Sequence, residues 1–96
     1  MKEKQVEQYL IKQVREKLYG TAYKFTSPGR RSVPDRLCVV HNDVFFVECK
    51  APGKVATPAQ LRECDKLKQL GQWVYIVSSK YMIDQIIKFW KERLER

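Results

Sequence analysis

Asp35, Glu48 and Lys50 are the residues of this chain whose types and spacing can do chemistry. Asp35 follows Pro34, and Glu48-Cys49-Lys50 closes the apolar run Val44-Phe45-Phe46-Val47. Two carboxylates held close together suit Mg²⁺ or Mn²⁺, hard ions that take oxygen ligands and keep several waters. A lysine beside them is placed to steady an attacking water and the negative charge of a phosphate. Acid, acid and lysine together are the equipment for holding a divalent metal against a phosphodiester and hydrolysing it.

These residues act together only if the chain folds them to one place. Side chains alternate across a strand, so Glu48 and Lys50 share a face, roughly 7 Å apart, while Cys49 points the other way with Phe45 and Val47. A turn at Asn42-Asp43 folds the strand starting at Asp35 back onto the strand ending at Lys50. The acids and the lysine then converge at one end of a sheet, with the backbone carbonyl of Cys49 between them as a further oxygen. Each feature has a plainer reading: an acid-x-Lys step can be a solvated strand end, and Pro-Asp commonly starts a turn. The four apolar residues before Glu48 argue for burial instead.

The surrounding elements follow from periodicity. Val6, Leu10, Val14 and Leu18 recur at helical spacing, which predicts a helix over 5–19 with Gly20 as its stop. Residues 21–26 read as a strand, 27–34 as a loop with two prolines and two arginines, and 35–41 and 44–50 as the two arms of the hairpin. After a loop at 51–56, Thr57-Pro58-Ala59-Gln60 is a helix start, with Thr as cap, Pro at the first helical position and Gln three after the cap. That helix runs to Leu70. Trp73–Val77 is an apolar run suited to a buried strand, and 80–94 forms a last helix. The order is αβββαβα: an antiparallel meander, then a helical crossover to a fourth strand parallel to the third. The fold class is α/β, a mixed four-stranded sheet flanked by helices, with 1–96 as a single domain.

Composition narrows the partner. Nineteen Lys and Arg against 11 Asp and Glu give a net charge of +8, which favours a polyanion, most commonly nucleic acid. Arg30, Arg31, Arg36 and Lys54 fall in or beside the loops flanking the proposed site and suit phosphate contacts. No apolar run approaches the roughly 20 residues of a membrane span, and the N-terminus leads straight into an amphipathic pattern. A cytoplasmic protein is expected. The three cysteines, Cys38, Cys49 and Cys64, form no CxxC pair and read as reduced and structural. His41, the only histidine, falls at a turn and reads as solvated.

Pro34-Asp35, Glu48-Cys49-Lys50 and the αβββαβ order resemble the PD-(D/E)XK nuclease superfamily with its restriction-endonuclease-like core. The finer resemblance is to its VRR-NUC branch, stand-alone bacteriophage type. It is carried by Ser32-Val33-Pro34-Asp35-Arg36, by Phe46-Val47-Glu48-Cys49-Lys50-Ala51-Pro52-Gly53 and by Thr57-Pro58-Ala59-Gln60-Leu61. Val33 departs from the glycine that the branch often has before the proline. The resemblance implies metal ligation by Asp35, Glu48 and the Cys49 carbonyl, with Mg²⁺ or Mn²⁺ as cofactor, and Lys50 acting on the water. It implies a place near the active site for Gln60, which its capping-box position also explains. It implies an outer carboxylate on the first helix, for which Glu7, on the apolar stripe, is the candidate; Glu7 also suits a helix N-terminus as plain charge. The implied activity is a metal-dependent DNA endonuclease leaving a 5′-phosphate, resembling junction resolvases, acting on branched DNA as a homodimer, in the host cytoplasm if phage-encoded. The alternatives are a flap, nick or duplex nuclease of the same fold and a non-catalytic basic nucleic-acid-binding module. A pure binder has no use for two acids beside phosphates, because without a metal they repel them.

Overall fold

The computed structural model describes residues 1–95. Helix α1 (Glu3–Leu18) leads into strands β1 (Thr21–Lys24), β2 (Arg36–Val40) and β3 (Asp43–Cys49). Helix α2 (Pro58–Gln69), strand β4 (Val74–Val77) and helix α3 (Lys80–Leu94) follow. The sheet order is β1-β2-β3-β4. The first two pairings are antiparallel and β3 pairs with β4 in parallel, so the mixed sheet and the crossover expected from the sequence are both present.

The alternating pattern of the hairpin decides which face holds what. Cys38 and Val40 on β2, with Phe45, Val47 and Cys49 on β3, are buried in one core with Val6, Leu10, Val14 and Leu18 of α1 and Ile83, Ile87 and Trp90 of α3. Phe45 stacks on Trp90 at 4.7 Å, and the Trp90 indole N–H donates to the Tyr75 hydroxyl at 3.0 Å. Trp90 is thus a core residue, unavailable to a partner; Trp73 and Phe89 remain exposed beside it, with ring centroids 5.3 Å apart. The intervening β3 residues, Phe46 and Glu48, take the opposite face.

Local chemistry fixes the element ends. Both halves of the capping box at Thr57 form: Gln60 N–H donates to the Thr57 hydroxyl at 3.2 Å, and Thr57 N–H donates to the Gln60 side chain at 2.9 Å. At the end of α1 the left-handed residue is Tyr19, with φ 54°, one position before the glycine expected to stop the helix. Gly20 serves another need. A Cβ there would lie 2.5 Å from the Val39 carbonyl oxygen, so only glycine allows the chain this close to β2. The first strand ends at Lys24 rather than Thr26, although Phe25 N–H still donates to the Asp35 carbonyl at 2.9 Å. Among the described residues, no helix is long and apolar enough to cross a membrane.

Candidate active site

β2 and β3 run antiparallel with Arg36 opposite Val47, which sets Asp35 opposite Glu48 one step beyond the ladder. Both side chains point to the face away from α1 and α3. Pro34, fully buried, anchors the chain just before Asp35. Glu48 is 1 % exposed and is the one charged residue in the buried interior among the described residues. It lies on β3, a central strand between β2 and β4, on the face opposite the core that holds its neighbours Val47 and Cys49.

The acids are tied to one another through the backbone. Asp35 N–H donates to Glu48 Oε1 at 3.2 Å, and Cys49 N–H donates to Asp35 Oδ2 at 2.8 Å. The N–H and C=O of one strand residue leave on the same edge, so the Cys49 carbonyl also faces Asp35. Lys50 Nζ stands 3.6 Å from Glu48 Oε2, its side chain largely covered. Burial, and then the charge of Asp35, push the Glu48 carboxyl up to about 7, with Lys50 pulling the other way. Two carboxylates and one ammonium leave this corner electron-rich. A divalent cation offsets that excess, and the donors are all oxygen, as a hard ion requires. Among the described residues, no three His, Cys, Asp or Glu side chains converge as a metal-binding group. An ion here would draw on Asp35, Glu48 and the Cys49 carbonyl, and complete its shell with water and phosphate.

The other residues singled out from the sequence take varied positions. Glu7 Oε2 accepts from Arg36 Nε at 2.7 Å, and Arg36 also donates to the Ala22 carbonyl at 3.2 Å. This pair lies on the α1 face, the opposite side of the sheet from Glu48, and both side chains are mostly covered. Gln60 spends its side-chain oxygen on the Thr57 cap. Arg30 makes a two-pronged bridge to Glu63 at 2.7 and 2.9 Å, which pins the 27–33 loop onto α2. Arg31 and Lys54 are exposed. All three cysteines are buried, and burial raises each thiol, Cys38 to about 12, which keeps them protonated and poor nucleophiles. His41 lies exposed at the far end of the hairpin.

Two cations escaped the sequence reading. Arg62 and Lys66 of α2 line a groove of about 470 Å³ together with Arg30, Arg31 and Glu63. Their i, i+4 spacing placed them on one helix face, but only the fold shows that this face meets the loop that precedes Asp35.

No protein-family model matches the chain. It is 51% identical over 81 residues to "Putative nuclease p44" of Acyrthosiphon pisum secondary endosymbiont phage 1, a match spanning 83% of this chain and 86% of that protein. A solved structure described as "VRR_NUC domain" superposes with a TM-score of 0.82 at 31% identity, covering 90% of this chain and 94% of that one. Similarity of this extent, over the elements that bring Asp35, Glu48 and Lys50 together, shows that the chain belongs to the VRR-NUC family of nucleases.

Proposed function

We propose that residues 1–96 form one Mg²⁺- or Mn²⁺-dependent DNA endonuclease domain whose catalytic centre is the Asp35–Glu48–Lys50 corner. The observation that carries this reading is the buried Glu48 carboxylate facing Asp35, with Lys50 Nζ 3.6 Å away. A folded protein keeps two acids in such contact at a cost, and the natural relief is a cation that both of them ligate.

Asp35, Glu48 and the Cys49 carbonyl would hold the ion. When bound, a divalent ion polarises the phosphate and lowers the pKa of water. Lys50 would orient the attacking water and stabilise charge on the phosphate oxygens. Its Glu48 contact and covered stem hold the ammonium in one place, so little reorganisation is needed at reaction. Gln60, which caps Thr57 at the first turn of α2, would serve the site from that helix, and Glu7 would act from the other face by fixing Arg36 and with it the start of β2. Arg31 and Lys54 are left exposed for phosphates, whereas Arg30 and Arg36 are engaged with Glu63 and Glu7.

The substrate we favour is branched DNA, cut by a homodimer that carries one site per strand. The exposed Trp73–Phe89 pair supports self-association, since two neighbouring aromatic rings in water are natural interface anchors. The test is incubation of purified protein with junction, flap and linear duplex DNA in Mg²⁺, Mn²⁺ or EDTA, with the mass measured by light scattering. Metal-dependent cleavage, fastest on the junction, is expected from a dimer. Binding without cleavage of any substrate would overturn the catalytic assignment, and equal cleavage of linear duplex would overturn the branch preference.

A further inference from the structure

A second cleft opens between the 27–33 loop and α2, and its two halves differ in chemistry. One half is the cationic groove bearing Arg31, Arg62 and Lys66. The other is an apolar cavity of about 240 Å³ formed by Phe25, Val33, Leu67 and Leu70. The halves share a wall, made of Lys66 and the Arg30–Glu63 bridge. We propose that this cleft receives one nucleotide splayed out of the DNA stack, with its phosphate on Arg31, Arg62 and Lys66 and its base among Phe25, Val33, Leu67 and Leu70.

Three observations carry this. Glu63, the one acid lining the cleft, is neutralised by Arg30, while Arg31, Arg62 and Lys66 make no ion pair among the described residues. An uncompensated cationic lane of this kind suits a phosphate backbone. The apolar half is the second observation. A duplex offers phosphates, sugars and groove edges at such a surface but no base face, because its bases are stacked inside. An unpaired nucleotide offers a phosphate and a base face together, the pairing that single-strand sites exploit with a charged groove beside an apolar platform. The third is position. Phe25 N–H donates to the Asp35 carbonyl at 2.9 Å, so the apolar half is anchored within one hydrogen bond of the candidate metal ligand. Ser32, in the cationic half, is three residues before Asp35, at most about 10 Å along the chain.

The inference rests on the nuclease reading and sharpens its substrate. Splaying a nucleotide costs least where pairing is already broken, so the cleft would favour branch points, flaps and frayed ends over intact duplex.

The experiment is fluorescence anisotropy in EDTA, where no cleavage occurs, with a short oligothymidylate and a blunt duplex as probes. Leu70 is 67 % exposed, so Leu70→Ser trims the cavity wall with little cost to folding. It is expected to weaken oligothymidylate binding about fivefold to tenfold and to leave duplex binding within about twofold. The double variant Arg62→Ala/Lys66→Ala is expected to weaken both probes and to flatten their salt dependence. The proposal is overturned if Leu70→Ser leaves oligothymidylate binding unchanged, or weakens both probes equally. It is overturned too if the variant alters self-association in light scattering while DNA affinity holds, which would assign the surface to a second copy of the chain. An Asp35→Ala protein should lose cleavage yet bind both probes at least as tightly as wild type in EDTA, since without a metal that carboxylate repels phosphates. A failure of the catalytic centre would therefore appear in cleavage alone, and a failure of the cleft in EDTA binding alone.

Discussion

Replacing Glu48 with Gln should make the metal-free protein more stable at pH 8. Glu48 is 1 % exposed, faces the Asp35 carboxylate, and is pushed from 4.5 up to about 7. A carboxyl whose pKa is raised on folding binds its proton more tightly in the native state than in the unfolded one. Stability from this group is therefore fully present below about pH 4.5 and is lost as the pH rises through about 7. At about 1.4 kcal/mol per pKa unit, the loss across that window is on the order of 3 kcal/mol. With a urea m-value of about 1–3 kcal/mol/M, the midpoint falls by about 1–3 M between pH 5 and pH 8. Glu63, held below its ordinary value by Arg30, titrates below this window with the opposite sign. The assay is urea unfolding in EDTA at pH 5, 6, 7 and 8. Wild type should weaken across the series, and Glu48→Gln should stay nearly flat and exceed wild type at pH 8. Saturating Mg²⁺ should restore wild type at pH 8, by about 2.7 kcal/mol at a hundred times its Kd, and leave Glu48→Gln unmoved. A wild-type protein equally or more stable at pH 8 in EDTA would refute the reasoning.

Other residues give further tests. Lys50→Ala should lower turnover about 10²–10³-fold with little change in DNA affinity, read by single-turnover cleavage and anisotropy. Phe45→Ala removes a fully buried ring stacked on Trp90 and should cost about 3–5 kcal/mol by denaturant titration, enough to unfold much of a small domain. Tyr19→Gly should raise the thermal midpoint, gaining about 1 kcal/mol, because Tyr19 is 92 % exposed and holds a left-handed backbone that glycine adopts without strain. Gly20→Ala should do the reverse, since its Cβ meets the Val39 carbonyl.

The features legible in the sequence were those written in local pattern. Alternation across Val44–Cys49 was enough to put Glu48 and Lys50 on one face and to bring Asp35 to the same end of the hairpin, but a turn at Asn42-Asp43 would pair Asp35 with Lys50. The turn is His41-Asn42, with Asp43 already in β3 opposite Val40, and that shift sets Asp35 opposite Glu48. The Thr57-Pro58-Ala59-Gln60 signature marked the start of α2, because a capping box is closed within four residues. Contacts made between distant elements were not legible. The Glu7–Arg36 pair depends on how α1 docks against the sheet, and it turned an expected phosphate-binding arginine toward a helix. Arg30 and Glu63 are 33 residues apart, and their bridge creates the cleft beside Arg62 and Lys66. Gly20 was readable as a helix stop, but its need is steric and comes from β2, a partner no local pattern reveals.

Calorimetric titration of Mn²⁺ into the metal-free protein at pH 8 tests most directly the claim that Asp35 and Glu48 together hold the divalent ion used in cleavage. Saturable binding is expected in wild type, with loss of that binding and of DNA cleavage in both Asp35→Ala and Glu48→Gln. Undiminished Mn²⁺ binding or undiminished cleavage in either variant, with the fold intact by circular dichroism, would contradict it.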